Sequence, residues 1–177
     1  GVVVPRQNGK GAILEARELA GLFLFGEKLI THSAHMIDTS LEHFRRLLGI
    51  IEDSPELWGQ VKKVSNTNGR EGIELTDGRR IRFRTRSKSA GRGFSGETLI
   101  LDEAMFLPEF AFGALLPTLS AKYVTENPQI WYTGSAVDQE IHEHGVVLAR
   151  VRERGLAGDS PRLAFFEWSP RTDLLAG

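Results

Sequence analysis

The sequence contains no cysteine and carries a formal net charge of −1. The missing thiols exclude a disulfide framework and a thiolate metal site, and they fit a reducing compartment. The balanced charge gives no overall positive field that would attract nucleic acid. No apolar run approaches the ~20 residues of a membrane span, and the start GVVVPRQ lacks the regions of a signal peptide. The 177 residues suffice for one α/β domain with a substantial core.

Strands and helices are predicted to alternate along the chain. An alternation of this kind favours a mainly parallel sheet covered by helices on both faces. Asp77-Gly78, between two alternating segments, predicts an inserted β-hairpin beside that sheet, and Asp38 is expected to cap the second helix. The predicted strands are 1–4, 28–34, 72–75, 80–86, 97–101, 128–132 and 162–168, and the predicted helices are 11–25, 39–51, a short one from 54, one within 108–121, and 139–154.

The first candidate site is the segment PRQNGKG, which joins the first strand to the first helix. Polyphosphate binding needs inward-pointing backbone amides, a helix N-terminus and a fixed cation. Gly9 would let the backbone approach the phosphates, and Lys10 would reach the β- and γ-phosphates. A solvated turn with a surface lysine is the alternative. The candidate nucleotide-binding residues are Gln7, Asn8, Gly9, Lys10 and Gly11.

The second candidate site is the apolar strand TLIL, which delivers two adjacent carboxylates at its carboxyl end. Asp102 can hold Mg²⁺ directly or through water, and Glu103 can orient and deprotonate a water that attacks the γ-phosphate. An ordinary acidic turn would explain this pair alone. It would not also explain a lysine loop at the matching end of the sheet, so the two together predict a site for ATP and Mg²⁺.

These motifs in combination resemble the ATPase domain of the large terminase subunit of tailed bacteriophages, the motor that packs DNA into procapsids. PRQNGKG is similar to its variant phosphate loop, and SAGRGFSGETLILDEA to its arginine loop running into the Walker B strand. WYTGSA resembles its coupling motif, and AFFEWSP the end of this domain before a nuclease domain. The sequence departs from the pattern at Val4, which replaces a glycine, and at Gly11, which replaces the Ser or Thr that gives a hydroxyl to Mg²⁺.

The resemblance implies a P-loop NTPase fold of the ASCE/RecA-like type, with α/β/α layers, and ATP hydrolysis that drives double-stranded DNA into a procapsid. The implied partners are DNA, further copies of the chain in a ring, the portal protein and the small terminase subunit. The implied location is the host cell cytoplasm, docked transiently on the procapsid. Residues 1–177 are expected to be one such domain, a fragment lacking an N-terminal segment and the nuclease domain, and therefore without DNA cleavage.

The resemblance also implies roles for individual residues. Arg6 would contact the γ-phosphate region, Lys10 would bind phosphate, and Asp102 would serve Mg²⁺. Glu103 would activate water, and Arg92 would act across the subunit interface, although a mobile surface arginine is its alternative reading. Either a water or another oxygen would replace the hydroxyl missing at Gly11, or the site would bind the metal weakly. The residues expected to sense hydrolysis and pass it on are Thr133, Gly134 and Ser135.

The segment 79–92 is strongly basic and has no acidic residue. On a strand, Arg82, Arg84 and Arg86 share one face, which could track DNA phosphates in a salt-sensitive manner. The alternatives are that this face is solvated, that it pairs with acidic residues elsewhere, or that part of it contacts a neighbouring subunit. The histidines lack the spacing of a helical metal motif, so all five are interpreted as structural or surface residues.

Two other functions fit the motifs. A helicase or another P-loop remodelling ATPase also uses an acidic pair and a Ser/Thr-Gly segment after the next strand, but a helicase needs a second RecA-like half. A nucleotide-binding assembly module with little hydrolysis would be consistent with Gly11, which cannot supply a hydroxyl to Mg²⁺.

Overall fold

The computed structural model describes residues 1–5, 8–67, 71–86, 96–109, 128–136 and 145–168. Within these ranges no helix is long and apolar enough to cross a membrane. The helices are α1 (Lys10–Leu19), α2 (Ile37–Glu52), α3 (Pro55–Trp58) and α4 (Val146–Ala157), with a π-helical turn at Ala20–Leu24 and a 3₁₀ turn at Ala104–Phe106. The strands are β1 (Val2–Val3), β2 (Leu29–Ala34), β3 (Val61–Ser65), β4 (Gly72–Leu75), β5 (Arg80–Thr85), β6 (Thr98–Leu101), β7 (Gln129–Gly134) and β8 (Phe166–Glu167).

The strands of the described ranges form one sheet in the order β3-β4-β5-β2-β6-β7-β1-β8. All neighbours from β5 to β8 pair in parallel, and only β3-β4 and β4-β5 are antiparallel. Every residue of β2 and of β6 is buried, as expected for parallel strands with both faces covered. The predicted fold class, a mainly parallel α/β sheet with a hairpin, is confirmed.

Two apolar cores lie on opposite faces of this sheet. One packs α1 and α2 against the sheet and includes Leu14, Leu47 and Phe83, whereas the other packs the 3₁₀ turn and α4 against it and includes Met105 and Leu148. Strand β6 contributes to both, because Ile100 points into the first core while Leu99 and Leu101 point into the second. The sheet is therefore the middle layer of three.

The hairpin prediction is correct about the turn and wrong about its place. Gly78 adopts a φ of +91° between β4 and β5. However, β5 does not lie beside the sheet, because it pairs in parallel with β2 from Arg80 to Thr85. The edge strand β3 was not predicted, because its half-exposed VKKVS pattern gives only a weak apolar alternation.

The helix boundaries differ from the predicted ones at three places. The first helix begins at Lys10 and widens into the π-turn, where Gly21 lies so close to β2 that a Cβ would come within 2.7 Å of Ile30 Cδ1. Helix α2 begins at Ile37 after Met36, so Asp38 lies in its first turn and forms no side-chain cap. Helix α4 begins at Val146. Most of the helix predicted within 108–121 lies outside the described residues.

Candidate nucleotide-binding site

The loop between β1 and α1 ends in a helix N-terminus. Gly9, the residue before α1, has a φ of +79°, and Lys10 is the first helical residue. No heavy atom would lie within 4 Å of a Cβ at Gly9, so the backbone conformation, rather than space, favours glycine there. The first-turn amides of a helix lack intrahelical partners and attract anions. Asn8 and Gly9 are exposed beside them, whereas Arg6 and Gln7 lie outside the described residues.

Lys10 and Asp102 form an ion pair, although they are 92 positions apart in the chain. Asp102 follows β6, is 5% exposed, and its Oδ1 also accepts hydrogen bonds from Thr133 Oγ1 at 2.9 Å and from the Glu103 amide at 2.8 Å. Burial favours the neutral acid, but the Lys10 ammonium, the charge of His32 and the Thr133 hydroxyl outweigh it and lower the pKa of Asp102. A cation and a buried carboxylate thus meet where the sequence predicts a phosphate site.

The segment Thr133-Gly134-Ser135 lies at the adjacent strand end. Thr133 is fully buried, and its hydroxyl links the end of β7 to Asp102. The Gly134 carbonyl accepts from the Val4 amide at 3.0 Å, which fixes β7 to the end of β1. A Cβ on Gly134 would meet Leu148 Cδ2 and Met105 Sδ at 3.2 Å. Ser135 follows, half-buried. The carboxyl ends of β6, β7 and β1 therefore converge, as the sequence predicts.

Glu103 has an unusual backbone conformation. Its φ of +52° is the one positive value among the non-glycine residues that the structure describes. Its Oε2 is buried and has no hydrogen-bond partner among those residues. A left-handed conformation is costly for a residue with a Cβ, and such strain is concentrated at functional sites. An unpaired carboxylate oxygen beside Asp102 can receive a proton from a water or approach a cation.

Neither a protein-family model nor a curated protein matches this chain. Solved structures do match. The large terminase of bacteriophage HK97 aligns over 97% of this chain, with a TM-score of 0.75 and 16% identity. The large terminase of a thermophilic bacteriophage, in complex with ATP-gamma-S, aligns over 98% of it, with a TM-score of 0.63 and 12% identity. At these identities the likeness establishes the fold. The chain has the fold of a large terminase ATPase domain.

The shares of the matched proteins that align show how much of each one has this terminase fold. The ATPase domain of the Thermus phage P74-26 large terminase aligns over 92% of this chain and 83% of its own length, with a TM-score of 0.55 and 16% identity. The chain spans 36% of the HK97 protein and 42% of the protein solved with ATP-gamma-S. The likeness therefore covers the ATPase-domain fold and less than half of the length of those two proteins.

The donor set in this terminase fold fits Mg²⁺ held at a nucleotide. Mg²⁺ prefers carboxylate oxygens, several waters and substrate phosphates, and Asp102 together with the unpaired Glu103 oxygen offers such carboxylates. Gly11 supplies no hydroxyl. The Arg46 side chain of α2 lies beside it, because a Cβ on Gly11 would be 3.3 Å from Arg46 Nη1. Arg46 is paired with Glu15 at 2.9 Å. Waters would take the place of the missing hydroxyl.

Arg86 was expected to share a DNA-facing surface with Arg82 and Arg84, and this is wrong. Arg86 lies one position beyond β5, so the alternation of the strand no longer directs its side chain. Its guanidinium points into the site and donates to the carbonyls of Ser33, Asp102 and Glu103. Burial lowers the pKa of Arg86 to about 10. Arg92, the expected trans arginine, lies outside the described residues.

Arg82 and Arg84 remain together on the outer side of β5. With Lys63 and Arg80 they line a pocket of about 110 Å³, in which Glu74 is the acidic residue. Burial and the charge of the neighbouring Arg80 lower the pKa of Arg82, which indicates cations held close together. The cationic lining makes this surface suited to an anion.

A buried polar cluster behind the site was missed by the sequence analysis. Glu18 of α1 accepts from His32 Nδ1 at 2.6 Å and from His43 Nε2 at 2.7 Å, and its location one helical turn after Leu14 was the available signal. Burial opposes the Glu18 charge, but the two histidines lower its pKa; Glu18 in turn raises the pKa of His43 against burial. The imidazole rings stack with centroids 4.3 Å apart, and their nitrogens contact different oxygens of the Glu18 carboxylate. One ligand atom from each of the three side chains lies within 4.8 Å of the others, close enough to hold a metal ion.

Proposed function

We propose that this chain is the ATP-hydrolysing motor domain of a viral large terminase subunit, which drives double-stranded DNA into a procapsid. The observation that carries the proposal is the convergence of Lys10, Asp102 and Thr133 at three adjacent strand ends. The shared fold supports it, because one protein with that fold was solved in complex with ATP-gamma-S. The DNA cargo and the procapsid are inferred from the likeness to large terminases.

In the proposed reaction, Lys10 leaves Asp102 and binds the β- and γ-phosphates of ATP, while the first-turn amides of α1 bind the remaining phosphate oxygens. Asp102 would hold Mg²⁺, which neutralises phosphate charge when bound. Glu103 accepts a proton from the attacking water, whose oxygen bonds to the γ-phosphorus as the bond to the β–γ bridging oxygen breaks. ADP and phosphate are the products.

Other residues have supporting roles in this proposal. Arg6, Gln7 and Asn8 complete the phosphate loop, and Arg92 of one subunit stabilises the transition state in its neighbour within a ring. Thr133 bonds directly to Asp102, so a change at that carboxylate on ATP binding would be transmitted to β7, Gly134 and Ser135. Arg82 and Arg84 are the candidate DNA contacts. The portal protein and the small terminase subunit are the proposed further partners, in the host cytoplasm.

The catalytic assignment is tested by comparing ATP hydrolysis of the wild type with that of Glu103→Gln and Lys10→Ala. Glu103→Gln should bind ATP with Mg²⁺ normally and lose about 10²-fold or more in hydrolysis rate, because the amide cannot accept the proton. Lys10→Ala should lose nucleotide binding itself. Equal hydrolysis by wild type and Glu103→Gln would remove Glu103 from the mechanism.

The same experiment separates a second candidate, a nucleotide-binding assembly module. The observation that favours it is Gly11, which leaves Mg²⁺ without a hydroxyl ligand. Such a module would bind ATP through Lys10, would hydrolyse it slowly in the wild type, and would respond to Glu103→Gln with no further loss of rate.

A further inference from the structure

Arg86 connects the two strand ends that flank the proposed catalytic turn. Its backbone amide donates to the carbonyl of Ala34, the last residue of β2, at 3.1 Å. Its Nη1 donates to the Ser33 carbonyl at 3.0 Å, also on β2. Its Nη2 donates to the carbonyls of Asp102 and Glu103, after β6, at 2.6 and 3.0 Å. One guanidinium thus ties together three backbone carbonyls at the carboxyl edge of the sheet.

The turn that receives these hydrogen bonds is the unusual one. With Glu103 in the left-handed region, the carbonyls of Asp102 and Glu103 both face the same Nη2. Residues with a Cβ rarely hold this conformation unless surrounding contacts fix it. Three backbone amides also hold the turn: the Glu103 amide donates to Asp102 Oδ1 at 2.8 Å, the Asp102 amide to the Ser33 carbonyl at 2.9 Å, and the Phe106 amide to the Glu103 carbonyl at 2.9 Å. Arg86 is the side chain that donates to the carbonyls of both Asp102 and Glu103.

We propose that Arg86 is a positioning residue for the Glu103 carboxylate: it holds the left-handed turn that aims Glu103 at the attacking water. The inference rests on the proposed ATPase function. Because the guanidinium is a rigid planar fork, it can serve carbonyls from two strands at once, whereas a lysine ammonium is a point charge on a flexible stem. A single positive charge is therefore insufficient to hold the turn, which requires the planar fork of the guanidinium.

The placement of Arg86 in the chain adds a second consequence. It is the last described residue before the segment 87–95, which contains Arg92. The covalent start of the proposed arginine loop is thus fixed to the same turn that carries Glu103. A rearrangement at Asp102 or Glu103 therefore acts directly on the residue from which that loop departs.

The test compares Arg86→Ala and Arg86→Lys with Arg79→Ala in steady-state ATP hydrolysis and thermal unfolding. Arg79 is the matched control, because its guanidinium also donates to a carbonyl, that of Leu22, but at the opposite end of β5. Arg86→Ala should lower kcat by about 100-fold, the cost of a misplaced catalytic group, with KM changed less than about threefold. Arg86→Lys should recover little, and millimolar guanidinium should restore part of the Arg86→Ala rate. Arg79→Ala should lower Tm without lowering kcat.

Several results would overturn the positioning role. These are an Arg86→Ala kcat equal to that of Arg79→Ala, a KM effect as large as the kcat effect, or full activity of Arg86→Lys. The Arg86→Lys variant also decides the matter if Arg86→Ala does not fold.

If the wild type hydrolyses no ATP, the proposed function fails, and amide hydrogen exchange then tests whether Arg86 holds the turn. In Arg86→Ala, the amide hydrogens of Asp102, Glu103 and Phe106 should exchange faster relative to those of β4. Unchanged protection of these amides would refute the structural role of Arg86.

Discussion

At the residue scale, one carboxylate oxygen organises the candidate site. Asp102 Oδ1 accepts from Lys10, from Thr133 and from the Glu103 amide, and each donor comes from a different part of the chain or from the turn itself. Hydrogen bonds to an ionised group contribute more than neutral ones. The arrangement therefore favours the ionised form of Asp102, with the Lys10 ammonium as its counter-charge.

Thr133→Val is predicted to weaken this arrangement. Valine has nearly the shape of threonine but no hydroxyl, so the buried Asp102 carboxylate loses one donor. We expect the free energy of unfolding to fall by about 1.5–3 kcal/mol, measured by urea denaturation. Thr133→Ser keeps the hydroxyl and is the control, with a smaller loss. A Thr133→Val variant no less stable than Thr133→Ser would show that the hydrogen bond contributes nothing.

Gly11→Ser is predicted to strengthen Mg²⁺ binding in the presence of nucleotide. The serine would supply the hydroxyl that standard phosphate loops offer to the ion. The new Cβ would approach Arg46 Nη1 at 3.3 Å, but the Arg46 side chain is 54% exposed and can move aside. Half-saturating Mg²⁺ for ATP binding should therefore decrease. Gly11→Ala adds the same Cβ without the hydroxyl, so an equal decrease in that control would contradict the explanation.

At the element scale, the buried cluster of Glu18, His32 and His43 joins α1, β2 and α2 behind the phosphate loop. All three side chains are at most 6% exposed. Breaking such a buried pair leaves an uncompensated charge in the core. The cluster thus fixes the helix that begins at Lys10 relative to the sheet that carries Asp102.

This cluster predicts a pH optimum for stability. The pKa of Glu18 is lowered from 4.5, so its contribution is present above pH 4.5 and is lost as the pH falls through the folded value. The pKa of His43 is raised from 6.5, so its contribution is complete below pH 6.5 and is lost as the pH rises through the folded value. The free energy of unfolding, measured from well below pH 4.5 to pH 9, should decline on both sides. In His43→Gln the alkaline decline should diminish, and an unchanged profile would contradict the assignment.

The π-turn after α1 gives a second prediction at this scale. A Cβ at Gly21 would lie 2.4 Å from Glu27 Oε2 and 2.7 Å from Ile30 Cδ1, so Gly21→Ala should destabilise the protein by about 1–3 kcal/mol through overpacking. Gly49→Ala is the matched control, because nothing lies within 4 Å of a Cβ there. It should be neutral or stabilising by up to about 1 kcal/mol. Thermal unfolding of both variants decides the comparison.

The sequence predicted the elements whose signals are local. The apolar run of β6 ends in two acids, and the glycine before Lys10 marks a strand-to-helix turn, so the strand ends of the site could be read from the chain. The features that were not predicted depend on tertiary packing. Strand β3 carries lysines on a half-exposed edge, and Glu18 is an acid that is buried because two histidines face it. Arg86 continues the period of β5 in sequence, but the strand has ended before it.

At the scale of the whole molecule, the net charge of −1 conceals an uneven distribution. The antiparallel end of the sheet carries Lys63, Arg80, Arg82 and Arg84 around one pocket, with Glu74 as its acid. Glu74 is itself paired with Lys62 at 2.9 Å. The proposed nucleotide site lies at the carboxyl edge of the parallel strands. Strand β5 connects the two regions, because the outer arginines lie along it and Arg86 follows one position beyond its end.

The double variant Arg82→Ala/Arg84→Ala is predicted to weaken binding of double-stranded DNA and to lower its salt dependence. If both guanidinium groups contact phosphates, the slope of log K against log salt should decrease in magnitude by about 2, since each neutralised phosphate contributes about 0.9. Fluorescence anisotropy with a DNA duplex between 50 and 200 mM salt would measure this slope. Arg45→Ala, which removes an exposed arginine of α2, is the control. A slope equal to that of wild type would assign the basic pocket to another anion, because a phosphate contact cannot be lost without the release of fewer counterions.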